Sequence, residues 1–428
     1  MGNILVRIQI KRRKGVHRKP WQVLYRDGTG RRRSKQFLTA TDAQAWSHRT
    51  GVDVMDGIHV ADRASITLRD AARLWLDALE ISGLERSTIS QYRSQLRNHI
   101  LPLLGAVKLA ELSVPRARRF KDALRSSGRS AAMSRKIMVT LGTMLADAVE
   151  RGLAARNPVR DMKRMKRTTD EGRRRKLHVG VDIPSPVEAR SIIHSAQGRW
   201  RPMIVTLIFT GLRSSEMRSL RWSDIDFDNR ILHVRQRVDR YGQFGPPKSE
   251  AGTRSIPMPP FLVNTLREWK LACPSRRLGA QDLGLVFPNI EGRAITHADL
   301  VIYGLIPTLA RAGLVQQAHD ADGKPILNRR GGPTYSGRYT GTHALRHFYA
   351  SWLINRKVDG GLELPAKIVQ QRLGHSTIVI TLDTYGHLFP QSDDGDALAL
   401  GEKALLGSAS ETRDSLARNA KASSIGDT

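Results

Sequence analysis

Cysteine is almost missing from this chain of 428 residues: Cys273 stands alone. No disulfide can form within the chain, and no Cys-rich zinc site can be built. That usage fits a reducing compartment. No apolar run approaches the roughly 18 residues that a spanning helix needs, and the start lacks the apolar stretch of a secretory signal. A soluble, cytoplasmic protein with no membrane partner is therefore expected. Aromatic residues make up only 6%, which disfavours platforms that stack single-stranded bases. Acidic residues are scarce too: 40 Asp and Glu face 70 Lys and Arg, a formal net charge of +30. Also lacking are a P-loop, a carboxylate pair suited to two magnesium ions, and any zinc-ligand spacing. No cofactor is implied.

The excess of positive charge speaks about partners rather than fold. Nucleic acid leads, because the basic residues run through the whole length and no segment reads as a basic amphipathic membrane helix. A duplex held by its phosphates, with steep salt sensitivity, is the expectation.

The length predicts two or three domains, and the pattern predicts a mainly α fold with small β-sheets, that is, α+β. Residues 1–60 read as a small unit: a strand at 21–25, a turn at Asp27-Gly28-Thr29-Gly30, a returning strand at 31–37, and a helix capped by Thr41 that ends near Met55. Residues 65–157 read as four helices. Thr67-Leu68-Arg69-Asp70 resembles a capping box. Ser87 is expected to cap a helix that reaches Leu101, where the Pro102 segment ends it. Ser113-Val114-Pro115 and Ser130 mark two further starts. Ile137, Leu141, Met144, Leu145 and Ala148 fall at helical spacing, as a core stripe does.

Residues 158–182 are charged and nearly devoid of apolar side chains, as an exposed basic linker is. The next unit, 183–390, opens with the capping box Ser185-Pro186-Val187-Glu188. Strands at 231–238 and 254–258 are joined through a Pro/Gly loop. Helices are expected at 203–210, 261–270, 297–312, 342–354 and 366–373, with a polar, Gly-rich loop at 316–341. Residues 391–428 read as a short amphipathic helix followed by a disordered tail.

The chemistry-bearing residues crowd into 183–390. Arg213, in Thr210-Gly211-Leu212-Arg213, opens a helix, where it either binds an anion or merely pairs with Glu216 one turn on. Lys248 is the one lysine between Lys176 and Lys270. A lysine near a phosphate can give up a proton, which an arginine cannot. His343 and Arg346 lie three apart on one helix and share a face, whereas His347 is expected to point elsewhere and to be structural. His375 follows Leu373-Gly374 at a sharp helix end. Tyr385 comes ten residues later; its phenol needs activation before it can attack. Taken singly, each residue has a bland explanation in packing or solvation. Their order and spacing together do not.

The set Arg213, Lys248, His343-x-x-Arg346, His375, Tyr385 resembles the tyrosine recombinases, also called the phage integrase family. The resemblance implies a catalytic domain at 183–390, a helical, SAM-like core-binding domain at 65–157 and an arm-type DNA-binding domain at 1–60. It implies site-specific cleavage and rejoining of duplex DNA through a 3′-phosphotyrosine link. Tyr385 would attack, Arg213 and Arg346 would stabilise the pentacoordinate phosphorus, and Lys248 would protonate the leaving 5′-oxygen. His343 would act as base toward the tyrosine, and His375 would bond a nonbridging oxygen. No metal or ATP is implied. A homotetramer on DNA is implied, with possible accessory DNA-bending or directionality proteins. Two other readings of the set are a type IB topoisomerase and an inert DNA-binding regulator.

Overall fold

The computed structural model describes residues 8–26, 31–55, 65–162, 176–274, 283–320, 323–327, 331, 334–339, 341–390 and 394–406. The chain divides into two compact units, residues 1–173 and 174–428.

The first unit begins with an antiparallel sheet of β1 (Gln9–Arg12), β2 (Trp21–Arg26) and β3 (Arg32–Phe37), in that order. Alternation in β2 sends Val23 and Tyr25 inward against α1 (Ala40–Met55), where Tyr25 meets Trp46 edge-on at 5.1 Å between ring centroids. Strand β1 carries no inward apolar stripe. Pairing with β2 defines it, which is why periodicity missed it. The Asp27–Gly30 turn lies outside the described residues. Helix α1 is capped by Thr39, not Thr41: the Asp42 N–H donates to Thr39 Oγ1 at 3.1 Å. Both threonines precede the helix pattern, and only Thr39 has an acidic residue three positions on.

The rest of the unit is helical: α2 (Leu68–Ile81), α3 (Arg86–Gln95), α4 (Leu101–Leu104), α5 (Val114–Ser126) and α6 (Ala131–Glu150). Thr67, Ser113 and Ser130 cap α2, α5 and α6 as their sequence signals require. Ser87 is not a cap; it lies inside α3 and its hydroxyl donates to Glu85. The helix also does not stop at Leu101. A π-turn, Leu96–Ile100, joins α3 to α4, with the Leu101 N–H donating to Leu96 O. The wide turn comes where the Pro102 ring would otherwise crowd the carbonyl one turn back, and the chain continues to Gly105. The α6 stripe of Ile137, Leu141, Met144, Leu145 and Ala148 is fully buried against Leu68, Trp75 and Ile100. Asn157 closes the unit by donating to Gly142 O at 2.7 Å.

In the second unit, α7 (Pro186–Ser195) starts at the Ser185/Glu188 capping box, with both reciprocal bonds made. Helix α8 (Trp200–Thr210) is mostly apolar past Arg201, and its residues Pro202–Ile208 are buried accordingly. A four-residue helix α9 (Ser214–Met217) follows. Strands β4 (Ile225–Asp226), β5 (Ile231–Val234) and β8 (Arg254–Pro257) form an antiparallel sheet, while β6 (Arg237–Val238) pairs with β7 (Phe244–Gly245). The strand expected over 231–238 is thus broken. At the break Gln236 is clamped twice, its side chain donating to Ser219 O and its carbonyl accepting from Ser219 Oγ.

Helices α10 (Pro260–Ala272), α11 (His297–Asp299) and α12 (Ile306–Arg311) come next, the last two joined by the π-turn Leu300–Leu305. The segment expected as a loop contains a hairpin, β9 (Val315–Gln317) with β10 (Tyr335–Gly337). Its polar composition hid it. Four helices complete the unit: α13 (His343–Ile354), α14 (Ala366–Leu373), α15 (Ile378–Tyr385) and α16 (Asp394–Leu406). Helix α15 has no clear sequence periodicity. The core centres on α8 and α13, through Ile204, Leu207, Ile208, Leu345, Tyr349 and Leu353. Between them Gly211 ends α8 at φ +59°, and a Cβ there would stand 2.4 Å from Tyr349 Cδ1. Only glycine fits. Among the described residues no helix is long and apolar enough to cross a membrane.

Candidate active site

Arg213 leaves α8 through Gly211 and becomes the N-terminal flank of α9 in extended conformation. Glu216, one turn on and 3% exposed, receives its backbone N–H at 3.0 Å and its Nη1 at 2.7 Å. Glu216 also receives Arg254 Nη2 at 2.8 Å. Burial would raise this carboxyl, but Arg254 and then Arg213 outweigh it and hold the pKa at about 2. Arg254 is locked further by donation to Arg372 O at 2.8 Å.

Arg346, on α13, is 5% exposed. It donates through Nη1 to Gly211 O at 2.7 Å and through Nη2 to Leu373 O. Burial and the nearby Arg213 push its pKa below the usual guanidinium value, and it stays charged at neutral pH. Arg213 Nη2 donates to Gly374 O at 3.1 Å. The ends of α8 and α14 therefore present their last carbonyls to the two arginines. Glu216 pairs directly with Arg213 and Arg254 and feels Arg346 at longer range, so three guanidinium charges face this one carboxylate. Such a pocket is built for an anion.

Three histidines border it. His343 opens α13, with its pKa lowered by burial and then by Arg346 and Arg213. His375 follows Gly374, which turns the chain at φ +65° and lies so close to Ala251 O and Arg254 that a Cβ would reach 2.9 and 2.8 Å from them. His375 Nδ1 is 2.9 Å from Thr381 Oγ1, and its ring lies nearly parallel to that of Tyr385, 6.4 Å away. Sequence alone sends His347 elsewhere. The structure instead puts His347 Nδ1 2.7 Å from the Tyr385 hydroxyl. The correction follows from helix geometry: residues 343 and 347 are four apart and share a face as surely as 343 and 346 do. Burial drives His347 and His375 down to about 4.

Tyr385 ends α15 and is 1% exposed. Burial raises its phenol to about 12, against the opposing pull of Arg346 and Arg213. The tyrosine therefore meets the pocket within its own chain. Five of the six residues singled out by sequence come together in this way: Arg213, His343, Arg346, His375 and Tyr385. Lys248 sits on the loop after β7, just before the 3-10 turn Glu250–Gly252 whose Ala251 carbonyl abuts Gly374. The contact of this turn with Gly374 brings the Lys248 loop to the edge of the site. Sequence reasoning missed Arg254, Thr381 and the role of His347. The first two carry no local signal; the third was readable from the i, i+4 spacing. Among the described residues no cluster of three or more His, Cys, Asp or Glu could hold a metal ion.

Residues 185–392 match the phage integrase family, and residues 67–124 match the N-terminal SAM-like domain of phage integrases. The chain belongs to the phage integrase family of tyrosine recombinases. As a tyrosine recombinase it is an enzyme that breaks and rejoins DNA at specific sites. Among its relatives is a tyrosine recombinase XerC-like protein of Caldanaerobacter subterraneus subsp. tengcongensis, 28% identical over 86% of this chain and 91% of that protein. A putative prophage phiRv2 integrase of Mycobacterium tuberculosis is 25% identical over 83% of this chain and 86% of its own length. Of solved structures, the Tn1549 transposon integrase is similar over 78% of this chain and 99% of that one, with a TM-score of 0.58 at 19% identity. These structural likenesses concern the recombinase fold.

Proposed function

We propose that this recombinase is an integrase that cuts duplex DNA at attachment sites with Tyr385 as nucleophile. The phenol oxygen attacks the scissile phosphorus, the new P–O bond replaces the bond to the 5′-oxygen, and the 3′-phosphotyrosine link conserves the bond energy for rejoining. Arg213 and Arg346 hold the nonbridging oxygens as charge builds. His375 bonds one of these oxygens. His343 takes the phenol proton, and Lys248 delivers one to the departing 5′-oxygen, so protons and electron pairs balance. The observation that carries this reading is the buried arginine pocket with surplus positive charge, bordered by a tyrosine of the same chain.

Around this centre we assign an arm-type DNA-binding domain to 1–60, a core-binding domain to 65–157, a basic linker to 158–182, and the catalytic domain to 183–390. The exposed Leu398, Leu400, Leu405 and Leu406 of α16 suit docking on a neighbouring subunit. Integrases of this fold have been solved on DNA, the lambda integrase as a tetramer bound to a Holliday junction. A homotetramer on DNA in the cytoplasm, assisted by DNA-bending or directionality proteins, fits the same reading.

The test uses a nicked duplex spanning the junction of the element with its host DNA. Wild type should form a denaturant-resistant covalent adduct. Tyr385→Phe should form none while binding the duplex almost as tightly. An adduct with the Phe variant would show that the nucleophile is misassigned.

A further inference from the structure

The helix that carries the nucleophile has an unusual hold on the fold. Of α15, only Thr381 and Tyr385 are buried. Ile378, Val379, Ile380 and Leu382 are 38–58% exposed, so apolar packing does little to fix this helix. The two buried side chains lie four apart, on one face. Both end in a hydroxyl, and both hydroxyls meet a histidine of the anion pocket: Thr381 Oγ1 at 2.9 Å from His375 Nδ1, and Tyr385 at 2.7 Å from His347 Nδ1. Helix α13, by contrast, is anchored by Leu345, Tyr349, Ala350, Leu353 and Ile354, all in the core. A single turn of this rigid helix carries His343, Arg346 and His347.

We propose that His347 is a positioning residue for cleavage, its Nδ1 accepting the hydrogen bond of the Tyr385 hydroxyl and so fixing the nucleophile against the helix that also holds the phosphate-binding Arg346. The inference rests on the reading of Tyr385 as nucleophile. His347 is not the base in this arrangement. Burial holds the imidazole down and the phenol up, so passing the proton across the bond is uphill. The imidazole is neutral at pH 7, so its Nδ1 lone pair is available to the phenol, and the phenol waits protonated and out of solvent. The bond gives the phenol one direction before DNA arrives, which is where a misplaced nucleophile loses rate.

Two substitutions separate this role from simple packing. His347→Asn sets an amide where Nδ1 stands and keeps a hydrogen-bond partner without a titrating ring. His347→Leu keeps the apolar bulk and removes the partner. The readouts are the single-turnover rate of adduct formation on the nicked duplex and the dissociation constant for the same duplex, both at pH 7.5. The Leu variant should be slower than wild type by about 100-fold with binding within threefold, and the Asn variant should recover at least tenfold of that loss. If Leu matches or exceeds Asn, or if the loss lies in binding, His347 is a packing residue and the proposal fails. Histidine-15N NMR of the DNA-free wild type gives a second measurement that needs no variant. It should show the Nε2–H tautomer with Nδ1 unprotonated; an Nδ1–H form would mean that the imidazole donates, and would overturn the assignment. An adduct formed by Tyr385→Phe would instead refute the nucleophile itself, so the two failures are distinguishable.

Discussion

Glu216→Gln removes one charge and changes almost nothing in shape, yet it should be among the most costly substitutions in the second unit. Its carboxylate receives the Arg213 backbone N–H, Arg213 Nη1 and both terminal nitrogens of Arg254, at 2.7–3.3 Å. Two routes give the magnitude. Breaking one partner out of a buried ionic network costs about 3–5 kcal/mol. Independently, the carboxyl falls from 4.5 unfolded to about 2 folded, which contributes about 3.4 kcal/mol at pH 7. The sign follows from the lowered folded value: the contribution is complete above the unfolded pKa and is lost as pH falls toward the folded one. At pH 3 it should have shrunk to about 1.4 kcal/mol by the same linkage. Urea unfolding of wild type and variant at pH 7 and pH 3, with the second unit followed by hydrogen exchange of peptides from α8 and α13, measures both differences. A gap below about 1 kcal/mol at pH 7, or one that does not narrow with acid, would refute the account of Glu216 as the shared counter-ion.

Gly211→Ala should destabilise the second unit by about 3 kcal/mol, because left-handed backbone strain adds to a 2.4 Å clash with Tyr349, whereas Gly198→Ala, at φ +54° in open space, should cost about 1. Thermal midpoints decide between them, and equal losses would remove the steric part of the argument. His347 and His375 sit near 4 when folded and 6.5 when unfolded. Their neutral forms therefore stabilise the fold fully above about pH 6.5, and that stability fades toward pH 4. Between pH 7 and pH 5 each should cost roughly 1–2 kcal/mol after allowance for partial exposure. The double variant His347→Asn/His375→Asn should show a flatter profile over that range; an unchanged slope would place the titration elsewhere.

Much of this molecule is written locally. Capping signals at Thr67, Ser113, Ser130 and Ser185 act within one turn, and the chain obeys them. The α6 stripe is a property of residue spacing alone. Where local chemistry offered two similar choices, as between Thr39 and Thr41, or where a strand owed its existence to its partner, as with β1 and β9, the sequence was silent or misleading. Pairing energy lies in the neighbour, not in the strand's own composition.

The sequence by itself determined which residues the reaction has at its disposal. Their types and order are a chemical inventory, and no packing is needed to read it. Only tertiary structure decided how they work together. Arg254 joins the site from a strand, through the carboxylate of Glu216, and Tyr385 meets His347 across two helices that lie 38 positions apart in the chain. Contacts of that range depend on how α13, α14 and α15 pack. No local pattern encodes the angle at which one helix delivers a hydroxyl to another.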